Sequence, residues 1–195
     1  MLAKTVRRLH PGGVYGPPAR GSAATRPLNA RAGTAENQGM YSPRQVLARS
    51  VRVSVSAPRL APPTDHDVER ASLALGCTLP ATFVEFQRLL GGRTVVGLDV
   101  LRLAASADDD TSLVEKNLAW RSPRHGIGLP AALIAFAPDG SGNLFCFDMR
   151  DPVGEPPVVL WDPLLDPRDN LADLAPLHST FVEWLEAELD LVAAA

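Results

Sequence analysis

Cysteine is scarce in this chain, which has only Cys77 and Cys146 among its 195 residues. The two form no Cys-x-x-Cys motif, so the sequence excludes a disulfide-rich scaffold and a thiolate zinc site. We therefore expect a reducing, cytoplasmic setting. Long apolar runs are lacking too, since none approaches the roughly 20 residues that span a bilayer. The first residues also hold no apolar stretch of a secretory signal.

The residue patterns of common catalytic and cofactor sites are lacking as well. The four histidines lie far apart in sequence, and there is no His-Glu-x-x-His metal motif. Neither a phosphate-binding glycine loop nor a Gly-x-Ser-x-Gly nucleophile motif is present. Cys146 alternates with Phe145 and Phe147, which indicates a buried structural thiol rather than a nucleophile. The sequence therefore predicts a binding protein that is not an enzyme and uses no metal or cofactor.

Charge is divided unevenly along the chain. Residues 1–60 carry ten basic and one acidic side chain, whereas residues 61–195 have a net charge of −12. Residues 1–60 are also rich in Pro and Gly, which predicts a mostly disordered extension or an over-extended translation start, with Met40 as the alternative start. An organelle transit peptide and a basic nucleic-acid patch are the other interpretations. Within this extension, only the strict alternation of residues 51–56 predicts a strand.

Residues 61–195 have the patterns of an ordinary folded domain. Capping residues and apolar spacing predict four helices, at residues 64–75, 80–90, 111–121 and 180–190. β-branched or alternating stretches predict four strands, at residues 95–101, 133–137, 143–148 and 157–161. The order α-α-β-α-β-β-β-α indicates an α+β fold, with helices packed on one side of a mostly antiparallel sheet.

In combination, these segments resemble the SUKH superfamily, the Smi/Knr-type domains. The resemblance extends over roughly residues 61–191 and is carried by seven stretches, residues 68–76, 79–86, 91–92, 133–143, 145–148, 158–162 and 181–185. It implies a SUKH-like fold without catalytic residues. It also implies that bacterial members bind and neutralise a toxin domain, often a nuclease or deaminase. The basic extension and residues 101–129 have no counterpart in the family pattern.

The negative charge of residues 61–195 favours docking of a basic protein surface and repels nucleic acid. We therefore expect an immunity protein that covers the active site of a basic toxin domain, with no nucleic acid and no membrane as direct partner. The predicted interface combines acidic, amide and aromatic side chains: Asp108, Asp109, Asp110, Asp139, Asn143, Asp148, Trp161 and Asp162. Asp139 and Asp162 are also typical of turns and strand ends.

Two other functions stay open at this point. The chain is alternatively a regulatory or scaffold module in a host pathway such as cell-wall synthesis, with the basic extension as a second docking site. The third hypothesis is a hydrolase that uses Asp139 and Asp148 as paired carboxylates.

Overall fold

This computed structural model describes residues 42–55, 61–90, 94–95, 97–103, 111–124, 126–151 and 154–194. The helices are α1 (Pro43–Arg52), α2 (Asp65–Leu75), α3 (Ala81–Leu90), α4 (Leu113–Arg121), α5 (Pro167–Ala172) and α6 (Phe181–Ala194). The strands are β1 (Ser54–Val55), β2 (Thr94–Val95), β3 (Leu133–Pro138), β4 (Leu144–Asp148) and β5 (Val158–Trp161).

The main sheet is a three-stranded antiparallel meander in the order β3-β4-β5. Leu133 pairs with Asp148 at one end, and Leu144 pairs with both Pro138 and Trp161 at the other. A register shift between Ala135 and Ala137 bulges β3 at Phe136. The predicted α+β class and antiparallel sheet are confirmed.

Aromatic side chains attach the long helices to one face of this sheet. Phe136 stacks on Phe147 at a ring-centroid distance of 4.3 Å and meets the edge of Trp184 of α6 at 4.7 Å. Phe83 of α3 contacts Phe181 of α6 edge-on at 5.3 Å. All five side chains are fully or almost fully buried, so this cluster forms the centre of the larger hydrophobic core.

The opposite face of the sheet is covered without a long helix. Leu133, Ala135, Leu144, Cys146, Val159 and Trp161 form a second buried cluster. The residues that cover them come from the loop after α4, through Ile127 and Leu129, and from the α5 segment, through Leu171 and Leu174. The short helix α5 is an addition to the predicted element order.

A buried amide side chain closes the outer edge of β3. The backbone N–H of Ala135 donates to Oδ1 of Asn117 at 2.9 Å, and Nδ2 of Asn117 donates to the carbonyl of Ala135 at 2.7 Å. The next carbonyl, that of Phe136, accepts from the N–H of Leu101 at 2.7 Å. Asn117 is fully buried on α4, so one side chain takes the place of a neighbouring strand.

We expect Asn117→Leu to destabilise the fold by about 2–4 kcal/mol, because it keeps the side-chain volume but leaves the N–H and C=O of Ala135 without partners. Urea denaturation measures the loss. The matched control is Leu118→Ala on the exposed side of α4, which should cost less than about 1 kcal/mol. Equal effects of the two substitutions would contradict this role of Asn117.

The structure corrects the predicted extent of the N-terminal extension. Residues 43–52 form helix α1, which begins with a capping box between Ser42 and Gln45 and has Pro43 in its first turn. Val46 and Leu47 are each only 1% exposed and belong to the larger core. The expectation that residues 1–60 lie outside the folded domain is therefore wrong for this stretch, whereas residues 1–41 and 56–60 lie outside the described residues.

Two strand predictions also change in extent. Of the alternating residues 51–56, Val51 and Arg52 end α1, Ser54–Val55 forms a strand, β1, and residue 56 lies outside the described residues. β1 pairs antiparallel with β2 in a separate two-stranded sheet. Of predicted strand 95–101, Val95 belongs to β2, residues 97–101 lie outside any strand, and residue 96 lies outside the described residues. The N–H of Leu101 then reaches the edge of β3.

Leu47→Ala should destabilise the protein by about 2–5 kcal/mol, because it removes a fully packed side chain from the core. Arg44→Ala, on an exposed position of the same helix, is the control and should change stability by about 0.5 kcal/mol or less. Chemical denaturation of both variants tests the helix assignment. If Leu47→Ala unfolds at the same denaturant concentration as the unaltered chain, α1 is not part of the core.

Candidate functional site

The structure brings together three of the eight residues predicted for the interface. Asp139 and Asn143 lie in the turn between β3 and β4, and Asp162 directly follows β5. The pairing of Leu144 with Trp161 places this turn and Asp162 at the same end of the sheet. Asp148 lies at the opposite end of β4, opposite Leu133. The predicted residues Asp108, Asp109 and Asp110 lie outside the described residues.

Asp139 organises the hairpin turn. Its Oδ1 accepts from the backbone N–H groups of Ser141 and Asn143 at 2.8 and 2.9 Å, and its Oδ2 accepts from Ser141 Oγ at 2.6 Å and Asn143 Nδ2 at 2.8 Å. Gly142 in this turn has φ +112°, a conformation that L side chains rarely adopt. Burial alone would raise the pKa of Asp139, but these hydrogen bonds outweigh it and lower the pKa to about 2. The carboxylate therefore has a structural role in the turn.

Because its pKa is lower in the folded state, the ionised Asp139 contributes stability above its ordinary pKa of 3.8, and this contribution is lost as the pH falls through about 2. Asp139→Asn should therefore lower the urea midpoint at pH 7. The difference from the unaltered chain should shrink between pH 4 and pH 2. The exposed Asp151→Asn is the control. A difference that is the same at all pH values would contradict the assigned role.

Asp148 is also engaged within the fold. It is 8% exposed and forms a bidentate ion pair with Arg150, whose Nε donates to Oδ1 at 2.9 Å and whose terminal nitrogen donates to Oδ2 at 2.7 Å. The hydrogen bonds from Arg150 lower the pKa of Asp148. Leu144 and Asp148 lie about 13 Å apart along β4, and Asp139 lies beyond Leu144. This separation does not fit the paired-carboxylate hydrolase, which needs its carboxyl groups about 5–9.5 Å apart.

Trp161 is not a surface residue. Its side chain has no exposed area and belongs to the second buried cluster. The prediction of Trp161 as a partner-binding anchor is therefore wrong, because the side chain alternates inward on β5 and is covered by the α5 segment. Asp162 fits the alternative reading as a strand-end residue, since its Oδ1 accepts from the N–H of Leu164 at 2.8 Å.

A groove that the sequence analysis missed lies beside these residues. We call it the α5 groove; it has a volume of about 380 Å³ and is lined by Leu160, Leu165, Asp166, Asp169, Asn170, Asp173, Leu174, Ala175 and Leu177. Asp166 caps α5 by accepting from the N–H of Arg168, and Pro167 starts the helix. Asn170 anchors the helix to the end of β5 by donating to the carbonyl of Asp162 at 2.7 Å.

The α5 groove combines negative charge with exposed apolar area. Asp166, Asp169 and Asp173 are exposed, and within the described part of the chain none of them forms an ion pair. Leu165 and Leu177 on its lining are 53% and 51% exposed, and the adjacent Leu164 is 94% exposed. A surface with unpaired carboxylates around exposed leucines is suited to contact a basic, partly apolar protein surface.

A second cavity, of about 400 Å³, has a different charge character. It is lined by Val100, Leu101, Thr111, Trp120, Pro138 and three charged residues, Asp99, Arg102 and Lys116. Two of these charged side chains are basic and one is acidic. Among the described lining residues, the α5 groove is therefore the more negatively charged of the two.

The described residues contain little that points to catalysis. They hold no group of three His, Cys, Asp or Glu side chains placed to bind a metal ion. Burial raises the pKa of the Cys146 thiol far above its ordinary value, and it also raises that of the half-buried Cys77. Both cysteines thus fit structural thiols rather than nucleophiles.

No helix in the described ranges has the length and apolar character needed to cross a membrane.

Comparisons with known proteins agree with this fold. The model of the SMI1 / KNR4 family (SUKH-1) matches residues 62–187. A crystal structure of a protein from Pseudomonas syringae pv. tomato aligns with a TM-score of 0.52 at 19% sequence identity, over 72% of this chain and 93% of that chain. At this identity the likeness concerns the fold alone. No curated protein matches the chain significantly in sequence.

Proposed function

Because the chain belongs to the SMI1 / KNR4 family (SUKH-1), we propose that it is a protein-binding immunity domain that neutralises a basic toxin domain, a nuclease or deaminase, by covering its active site. The observation that carries the proposal is the α5 groove, with its three exposed carboxylates and exposed leucines. An active site that binds nucleic acid is basic, so a partner of this class is complementary to the groove in charge.

The two kinds of side chain in the groove contribute differently to binding. The carboxylates of Asp166, Asp169 and Asp173 accelerate association by attracting a positively charged surface over several ångströms. Leu165 and Leu177 supply apolar area that leaves water when the complex forms, which slows dissociation. Asp148 contributes little to this attraction, since the guanidinium of Arg150 already neutralises its charge.

The test begins with capture of partners from a lysate of the source cells, followed by recombinant production of each captured protein. Its expression alone should arrest growth of a host strain, and co-expression of this chain should restore growth. A captured protein that is not toxic, or whose toxicity persists with this chain present, would contradict the immunity function.

Charge reversal at Asp169→Lys and Asp173→Lys together should slow association with the captured toxin by about tenfold or more and should reduce the rescue of growth, because it removes the attraction of the groove for basic groups. Surface plasmon resonance at two salt concentrations measures the rate. The matched control is Glu69→Lys with Glu85→Lys, which changes the net charge equally at exposed sites on α2 and α3. Equal slowing by both pairs would show that net charge, and not the groove, guides binding.

Truncation distinguishes the immunity function from the alternative function. The alternative is a regulatory or scaffold module that uses the basic extension as a second docking site. A chain that begins at Met40 keeps α1 and loses six of the basic residues. Neutralisation by this shorter chain supports the immunity function. Loss of a partner or of localisation with the shorter chain supports the scaffold. A truncation at Ala61 does not answer the question, because it removes Val46 and Leu47 from the core.

A further inference from the structure

Along the outer edge of β5, the main chain of Val158 is hydrogen-bonded, whereas that of Leu160 has no partner among the described residues. The N–H of Val158 donates to the carbonyl of His178 at 2.9 Å, and the carbonyl of Val158 accepts from the N–H of Leu177 at 2.8 Å. Both main-chain groups of Val158 therefore point away from β4. The neighbouring residue, Pro157, points the other way, since its carbonyl accepts from Asp148 of β4.

The main chain of Leu160 is the next to face outward. Residues two apart in a strand direct their N–H and C=O groups to the same edge, and the β4–β5 register has no shift between Val158 and Trp161. Across the described residues, nothing equivalent to the His178 contact is made by Leu160. One position further, the carbonyl of Asp162 is already occupied by Asn170 and Leu165. Within the described residues, Leu160 is thus a position on this edge at which both the main-chain donor and the main-chain acceptor are open.

This open pair lies at the α5 groove. Leu160 lines the groove together with Leu165, Leu177 and the three carboxylates. A chain segment that enters the groove therefore meets main-chain hydrogen-bonding groups, apolar side chains and negative charge in the same place. An α-helix satisfies its own backbone groups internally and leaves those of Leu160 unpaired, whereas an extended segment pairs with them.

We infer that the α5 groove binds an extended, basic segment of a partner protein, which pairs through its main chain with Leu160 and extends the sheet by one short strand. Alternate apolar side chains of this segment contact Leu165 and Leu177, and its Lys or Arg side chains pair with Asp169 and Asp173. The inference rests on the proposed function only in taking the partner to be a protein with a basic surface.

The test uses a defined probe, the peptide acetyl-Arg-Leu-Arg-Leu-Arg-Leu-Arg-amide, with the full chain. Two modified peptides carry N-methyl groups on the backbone, one at the leucines and the other at the internal arginines, and both keep every side chain. Because an extended segment presents alternate N–H groups to one edge, only one of the two should bind about tenfold more weakly than the parent peptide. Equal affinity of all three peptides, or equal weakening by both patterns, would overturn main-chain pairing.

Amide hydrogen exchange gives an independent readout on the protein. The amide of Leu160 should exchange rapidly in the free chain and about tenfold or more slowly with the parent peptide bound. The amide of Val159 faces β4 and should be protected in both states, so it serves as the internal control. No peptide binding, or a Leu160 amide that is already as protected as that of Val159 in the free chain, would overturn the inference.

The peptide and growth experiments fail independently. In one outcome, Asp169→Lys with Asp173→Lys weakens peptide binding, but neither N-methyl pattern changes it selectively. This outcome would support the charged groove as an interface and would contradict the strand pairing. Strand pairing with the peptide, together with no toxin neutralised in cells, would instead contradict the immunity function alone.

Discussion

Burial of β3 is the constraint on which the rest of this fold depends. Residues Leu133 to Ala137 are buried on both faces of the sheet, so water cannot satisfy their peptide groups. β4 satisfies one edge of the strand, and the other edge needs partners of its own. The side chain of Asn117 and the N–H of Leu101 provide them at Ala135 and Phe136. This requirement fixes α4 against the sheet and determines the path of the chain after β2.

The two edges of the sheet differ as a result. The β3 edge is closed by groups that are themselves buried, while the β5 edge is closed at Val158 by the backbone of Leu177 and His178 and is open at Leu160 among the described residues. The acidic residues divide in the same way. Asp139 and Asp148 are held by donors within the fold, whereas Asp169 and Asp173 beside β5 are exposed and unpaired among the described residues. The hydrogen bonds that hold α4 to the sheet thus lie along the β3 edge, and the candidate recognition surface lies beside the β5 edge.

Strong local patterns were sufficient to predict most of the elements. The capping box at Thr64 and the left-handed Gly76 mark the ends of α2, as expected from the sequence. The alternating residues 143–148 likewise predicted β4. Helix α1 is not predicted because the prolines and glycines around it dominate the composition of residues 1–60. The capping box between Ser42 and Gln45 is the local signal that could have indicated it. Helix α5 was missed because Pro163, Pro167 and Pro176 interrupt any periodic apolar pattern.

The site was less predictable than the fold, because it depends on burial and on hydrogen bonds across the chain. Trp161 has the residue type of an interface anchor, but its side chain faces the second cluster. No sequence pattern around Asp148 predicts its ion pair with Arg150. The sequence does contain one signal for the groove, the recurrence of Asp and Leu over residues 162–177. Some of these leucines pack under α5, and others line the groove.

The attachment of α5 separates folding from surface variation. Asn170, Leu171 and Leu174 hold the segment to the sheet, whereas Leu165, Asp169, Asp173 and Leu177 are exposed. Substitutions at these four exposed positions can change the size, charge and hydrophobicity of the groove at little cost to stability, since surface positions without special contacts tolerate exchange. The shape and charge of this surface can therefore change through a few side chains on a single short segment while the scaffold stays the same.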